Sequence, residues 1–284
     1  MTDQKVSHAT VTSADALTIF GYKFVSRLTN VISPNAVASL TALLVPVVCV
    51  FLRGKRKIVA RNMQRVQPNL RGRSLRRVVR KSYQSYARYY VETFRLPGLQ
   101  KKNIDAKISV EGFSHIENAL EKGNGVILAL PHLGGWEWSG RWLIHQGHRL
   151  HAVVEKLESQ ALFDMFVELR RSYGVDVIPL DERAGVMVQE ALAKNEIVAL
   201  LCDRDLLGNG IEVDFFGEQT TVPAGPAFFA LRTGATILPL GTYFGRGLDQ
   251  HETIVRPAIE IQRTGSLRQD MKNIDRKSTR LNSS

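Results

Sequence analysis

From Ile108 onward, short apolar runs alternate with amphipathic stretches. The runs Val126–Leu130, Leu150–Val154, Asp176–Pro179, Ile197–Leu201, Ile211–Phe215, Thr236–Thr242 and Thr253–Ile261 read as strands. Several lack any polar alternation, which fits strands covered on both faces. Between them, Ser114–Glu121, Trp136–Gln146, Ser159–Tyr173, Arg183–Ala193 and Pro226–Arg232 carry apolar residues at helical spacing. Strands and helices in this order predict an α/β fold, with a central, largely parallel mixed sheet flanked by helices.

The chain before Ile108 has a different texture. Asp15–Leu52 is weakly polar and helical in pattern, and within it Ala36–Leu52 is a seventeen-residue apolar stretch softened by Ser39 and Thr41. That length is at the short end of what spans a bilayer, and Pro46 argues against a straight spanning helix. Arg53-Gly54-Lys55-Arg56-Lys57 follows at once. An apolar stretch followed by a basic cluster is what an anionic membrane surface attracts; the bland alternative is a buried hairpin followed by a solvated basic helix. Lys57–Leu96 reads as helical with a break at Pro68–Gly72, and its second half sets Tyr83, Tyr86, Tyr89, Tyr90 and Phe94 on one face, a stripe expected to face the core. The resulting organisation is a disordered N-terminus over 1–14, a helical, basic, membrane-associating region over 15–100, an α/β core over 101–275 and a tail over 276–284. That tail, Arg276–Ser284, is polar, lacks apolar periodicity and reads as foreign sequence. Met1–Ala16 is polar, carries Asp3 and Asp15, and does not read as a secretory signal.

Charge sharpens this division. The net charge is +11, yet thirteen basic residues and no acid lie between Arg53 and Val91, so the excess describes one local surface. Basic residues interleaved with aromatics are compatible with nucleic acid, but helical spacing favours a packed stripe, and no nucleic-acid partner is expected. Cys49 and Cys202 stand far apart in apolar surroundings and fit buried thiols rather than a disulfide framework. No Cys/His cluster has zinc-ligand spacing, so neither a metal nor a cofactor is expected.

The chemistry concentrates after strand ends. In Leu130-Pro131-His132-Leu133-Gly134-Gly135-Trp136-Glu137-Trp138, four residues separate a histidine from an acid. Five steps of ~100° leave the two about 140° apart on one helix, so the pair works only if His132 precedes the helix and Glu137 lies in its first turn. Gly134 and Gly135 permit the tight backbone and close approach of a substrate. His132 is then a candidate general base and Glu137 the acid that holds its tautomer, a pair that needs no enzyme nucleophile if the substrate brings a hydroxyl. A satisfied structural histidine is the alternative. Cys202-Asp203-Arg204-Asp205 leaves another buried strand, with Asp203 or Asp205 placed to pair with Arg204, or the group is a local ion pair. Glu155 follows a third strand, and Arg170 lies on the next helix; either is otherwise a solvated charge. Asp214-Phe215-Phe216-Gly217 leads to Thr221-Val222-Pro223-Ala224-Gly225-Pro226-Ala227, a rigid turn opening a helix.

Taken in order, these clusters resemble the bacterial lipid acyltransferases of the lauroyl/myristoyl lipid A type, and more closely their actinobacterial members that acylate phosphatidylinositol mannosides. The likeness runs from about Gly21 to Arg256. It is carried by Ser85-Tyr86-Ala87-Arg88-Tyr89, Phe94-Arg95-Leu96-Pro97, Ala129-Leu130-Pro131-His132, Gly135-Trp136-Glu137, Val154-Glu155-Lys156-Leu157, Phe166-Val167-Glu168-Leu169-Arg170, Arg204-Asp205-Leu206, Val213-Asp214-Phe215-Phe216-Gly217-Glu218 and Pro223-Ala224-Gly225-Pro226-Ala227.

The resemblance implies a glycerolipid acyltransferase-like fold and transfer of a fatty acyl group, typically palmitoyl, from acyl-CoA to the 6-hydroxyl of a mannose, at the cytoplasmic face of the membrane. It places the H-x4-D/E motif on His132 and Glu137, and further active-site positions on Glu155, Arg170, Asp203 and Arg204. Trp136, Trp138, Trp142 and Phe94 are the expected lining of an acyl tunnel. Two departures stand out: Asp is commoner where Glu137 stands, and the family's C-terminal segment rich in Trp, Gln and Pro is replaced by the suspect tail. A lipid A-type acceptor, an idle lipid- or CoA-binding scaffold and a nucleic-acid binder remain the rival readings.

Overall fold

The computed structural model describes residues 53–206 and 208–261, with 20–22, 27, 31–33, 36, 39–40, 43, 264, 270–271 and 273–274. The expected N-terminus over 1–14, much of the Ala36–Leu52 stretch and the tail over 276–284 lie outside them. No helix among the described residues is long and apolar enough to cross a membrane.

Two long helices come first, α1 (Arg53–Val66) and α2 (Gly72–Arg95), broken at Pro68 as its missing N–H requires. A 3-10 turn (Leu96–Gly98) and the short α3 (Lys101–Asp105) lead into alternating units. These are β1 (Ile108–Glu111), α4 (Ser114–Leu120), β2 (Val126–Leu130), α5 (Trp136–His145), β3 (Leu150–Val154), α6 (Gln160–Ser172), β4 (Asp176–Pro179), α7 (Ala184–Ala193) and β5 (Ile197–Leu201). A hairpin of β6 (Ile211–Phe215) and β7 (Glu218–Val222) follows, then α8 (Gly225–Thr233), β8 (Thr236–Phe244) and β9 (His251–Val255).

Seven strands form one sheet in the order β1-β9-β8-β2-β5-β3-β4, with every neighbouring pair parallel except β8 and β9. The mixed, largely parallel sheet expected from the sequence is therefore present. The central strand β2 shows why its run is unbroken. Val126, Leu128 and Leu130 point into one core with Trp136, Leu143, Phe163 and Val167 of α5 and α6. Ile127 and Ala129 point into a second core with Val188 and Leu192 of α7 and Ala227 and Ala230 of α8. Period-two alternation thus buries both faces, and a polar residue at either phase would meet a core.

The structure moves the end of the last strand and adds two strands that the apolar pattern did not mark. The last strand stops at Val255, not Ile261, because Pro257 interrupts it; Arg256 N–H and Ile259 N–H still donate to Pro239 and Ile237 carbonyls beyond its end. β1 is too short to show a pattern and is specified by its parallel register on β9. β7, Glu-Gln-Thr-Thr-Val, has no apolar periodicity because it is exposed almost throughout.

One polar cluster fastens α2 to the β8–β9 loop. Arg88 donates to the Glu92 carboxylate at 2.7 Å and to the carbonyls of Gly245, Gly247 and Gln250. Asp249 N–H donates to Glu92 at 2.7 Å, and Arg95 pairs with Asp249 at 3.2 Å. Burial pushes the Glu92 carboxyl up to about 7, although Arg88 and the Asp249 N–H pull the other way. Burial, with the Arg88 charge nearby, pulls the His251 imidazole down to about 3, so it packs here as a neutral ring. Arg88→Ala leaves a buried carboxylate without its cation and frees the loop. We expect a loss of about 3–5 kcal/mol in denaturant unfolding, and a change below about 0.5 kcal/mol means the clamp is not structural.

Candidate active site

His132, Asp203 and Glu155 leave the carboxyl ends of β2, β5 and β3, which are adjacent and parallel, so the sheet delivers all three to one edge. Gly134 makes the departure from β2 possible. It sits at φ +60, and a Cβ there would lie 2.1 Å from the Thr242 carbonyl oxygen on β8. Gly135, which opens α5, presses on the His251 ring, where a Cβ would meet Cε1 at 2.3 Å. The sequence pointed to a tight backbone and close approach of a substrate at these glycines; what occupies the space of a side chain is instead β8 backbone at Gly134 and the His251 ring at Gly135.

The partner of His132 differs from the expected one. Its Nδ1 lies 2.7 Å from Asp203 Oδ1, and its backbone N–H donates to Asp203 Oδ2 at 3.1 Å. Burial alone would raise the Asp203 carboxyl, but the His132 ring, its charge and its N–H together hold it below the usual carboxylate range. An ionised Asp203 only accepts, so Nδ1–H donates to it, and in the neutral ring the lone pair then lies on Nε2. His132 is partly open to solvent and faces a cleft, where that lone pair is available to a substrate.

Glu137 does lie in the first turn of α5, as the spacing demanded, but it turns away into the interior and is 2% exposed. Its Oε1 accepts from Arg170 Nε at 3.0 Å, Arg170 Nη2 at 2.6 Å and Tyr89 at 3.1 Å; its Oε2 accepts from Tyr173 at 2.5 Å. Burial pulls the Arg170 guanidinium down, but the Glu137 carboxylate outweighs it and holds the group above its usual value. Burial raises both tyrosines, and Glu137 raises them further, so they remain neutral donors. The expectation that Glu137 orients His132 is thus corrected: Asp203 does so, and Glu137 ties α5 to α2 and α6.

Other expectations shift with it. Arg170 lines the cleft, but its charge is spent on Glu137, with its guanidinium 5.3 Å from the Trp136 ring centre. Arg204 pairs with Glu155 at 3.5 Å, and not with either neighbouring aspartate. Asp205 instead accepts the N–H groups of Gly208 and Gly210. Tyr89 and Tyr173 were not foreseen as partners of Glu137; they stand far from it in sequence, and no local signal marks such a contact. Tyr86 was expected in the core but is 61% exposed at the cleft.

The cleft has a volume of ≈ 640 Å³. Its lining includes Ser82, Ser85, Tyr86 and Tyr90 of α2, which bring hydroxyls, and Trp136, Phe163, Phe166 and Leu157, which are apolar, with Glu155 and Arg204. Behind Trp136 lies a narrow apolar cavity of ≈ 40 Å³, lined by Leu128, Leu130, Trp142, Leu150 and Ala152 among others. Trp136 and Trp142 line this cavity, which is far smaller than the acyl tunnel they were expected to line. Trp138 does not; it stacks on His251 with ring centres 4.6 Å apart. Phe94 packs against Tyr22 and Phe166.

A histidine held by an aspartate at the carboxyl end of a largely parallel sheet, opening on a cleft lined by both hydroxyls and apolar rings, places the candidate site where α/β domains commonly carry theirs. The model of the bacterial lipid A biosynthesis acyltransferase family matches residues 5–279, and the chain belongs to that family. Among characterised proteins, it is 41% identical over 170 residues to the phosphatidylinositol mannoside acyltransferase of Mycolicibacterium smegmatis, covering 59% of this chain and 56% of that protein. It is also 41% identical over 172 residues to the protein of that name from Mycobacterium tuberculosis H37Rv, covering 58% and 54%. The match thus spans about half the length of these relatives.

The two carboxylates answer differently to substitution. Glu137→Gln removes the counter-charge of a buried guanidinium and lowers unfolding free energy by about 3 kcal/mol. Asp203→Asn, at a part-exposed site, leaves stability within about 0.5 kcal/mol but, if His132 is the base, lowers turnover by about 10²–10⁴-fold. The Asp203 carboxyl titrates below its unfolded value of about 3.9. Its contribution to stability is present above that pH and lost as pH falls through the lower folded value. Equal rate losses without a stability difference between the variants would contradict this division of roles.

Proposed function

We propose that this chain transfers a fatty acyl group, palmitoyl by preference, from acyl-CoA to the 6-hydroxyl of a mannose in phosphatidylinositol mannosides. The observation that carries the proposal is the His132–Asp203 pair at the cleft of a chain whose relatives bear that acceptor in their names.

In the proposed reaction the acceptor hydroxyl gives its proton to His132 Nε2, and Asp203 stabilises the imidazolium through Nδ1. The alkoxide oxygen bonds to the thioester carbon, and the resulting oxyanion takes hydrogen bonds from N–H groups of the Gly134–Gly135 turn and the start of α5. The carbon–sulfur bond breaks, and the CoA thiolate takes the proton back from His132. Glu137 and Arg170 hold Trp136 and the cleft wall in place. The apolar wall accommodates the acyl chain, the Ser82–Tyr90 wall and Glu155 suit sugar hydroxyls, and Arg204 is free in its exposed pair to meet CoA or headgroup phosphate. The exposed basic face of α1 and α2 supports a place on the anionic cytoplasmic face of the membrane, where such an acceptor would lie.

Radiolabelled palmitoyl-CoA and purified phosphatidylinositol mannoside, incubated with the parent and with His132→Ala, test this reading. Label enters the mannoside with the parent and falls by at least about 10²-fold in the variant, with the fold unchanged by circular dichroism. Near-parental turnover in the variant removes His132 as base. CoA release that needs His132 but labels no mannoside keeps the chemistry and rejects the acceptor.

A further inference from the structure

The β6–β7 hairpin is the part of the fold least explained by packing. Only Val213 and Val222, one on each strand, are buried; the remainder is exposed or half-exposed. Phe215 pairs with Glu218, which leaves Phe216 and Gly217 as a two-residue turn with φ of 50 and 79. Both turn positions are left-handed, the pattern of a type I′ turn, which favours Asn, Asp or Gly in its first position. A phenylalanine there is conformationally costly, and nothing among the described residues compensates by burying it. Phe215 and Phe216 are 41% and 48% exposed and pack edge-to-face on each other, ring centres 4.6 Å apart. Leu206, on the segment leading to the hairpin, is 41% exposed.

The hairpin is not isolated from the basic surface. Arg65 at the end of α1 pairs with Glu218 beside the tip at 3.0 Å. α1 packs along α2, whose first half carries Arg73, Arg76, Arg77, Arg80 and Lys81 and whose second half lines the cleft with Ser82, Ser85, Tyr86 and Tyr90. The chain also reaches the hairpin from the cleft side, through Arg204. The Arg65–Glu218 pair thus joins the apolar tip to a basic helix pair that carries no acid before Glu92, and the second of those helices also lines the cleft. Two aromatic rings beside many exposed cations match an anionic bilayer, whose phosphates meet the cations while the rings enter the acyl boundary.

We infer that Phe215 and Phe216 form an interfacial anchor that enters an anionic lipid surface and turns the mouth of the cleft toward it. This deepens the proposed function and rests on its placing the acceptor in a bilayer.

The test measures binding rather than turnover. Phe215→Ser/Phe216→Asn, in which Asn suits the turn, is compared with the parent for partition onto vesicles of equal phosphatidylglycerol and phosphatidylcholine. A loss of about tenfold is expected, persisting at high salt where charge attraction is screened, with unchanged circular dichroism. In a second variant, Phe216→Trp, the added fluorescence is quenched by lipids brominated near the headgroup once vesicles are present. Unchanged partition, or an introduced indole that stays open to aqueous iodide on vesicles, overturns the inference. Acyl transfer on detergent-dispersed acceptor is measured alongside. If transfer is absent from every form, the functional reading fails, while the partition data still decide the anchor. If transfer is intact in both variants and partition is unchanged, the anchor alone fails.

Discussion

The site depends on one buried carboxylate. Glu137 is almost fully removed from water, and a charge in that position is tolerable only because Arg170, Tyr89 and Tyr173 satisfy both its oxygens. Those donors come from α2, α6 and the end of α6, so satisfying one carboxylate fixes how two helices meet α5. Arg170 and Tyr89 in turn support the Trp136 ring, whose other side faces the cleft. An acid five positions beyond His132 thus shapes the cleft wall without touching His132.

The proposed base, His132, is placed by separate constraints. The Gly134 turn fits only because it has no side chain, whose place backbone from β8 occupies, and Gly135 rests on the neutral His251 ring. His251 opens β9, and the loop ahead of it is held by Arg88 of α2. The same helix therefore braces the turn after β2 from one side and supplies the cleft wall from the other. Asp203 completes the arrangement from the neighbouring strand β5, holding both the ring and the backbone N–H of His132. The two-point hold makes the ring's orientation a property of the sheet rather than of a loop.

Much of this was legible in the order of residues. A run that buries both faces must be apolar at every position, so β2 and β5 declared themselves, and the neighbouring helices followed from spacing. His132 after a strand, with two glycines and an acid in the next turn, marked where chemistry would sit, because a strand end before a helix is where such a sheet opens. The acid-free basic segment likewise fixed the character of α1 and α2. Local rules were silent where an element is specified by its neighbour, as for β1, or is exposed and polar, as for β7.

Partnership was decided only by the fold. Asp203 and Glu137 are both acids near a strand end in sequence, and spacing favoured the nearer one as the partner of His132. Distance along the chain is the wrong measure here: adjacent parallel strands bring Asp203 within 2.7 Å, while the helix that begins at Trp136 rotates Glu137 into the core. The sequence determined which side chains are present, which strands are buried and where the sheet would open, since these follow from periodicity and composition. Which acid meets the base, which arginine is neutralised and which aromatics stay in water are set by contacts between residues remote along the chain, and those exist only once the helices have packed.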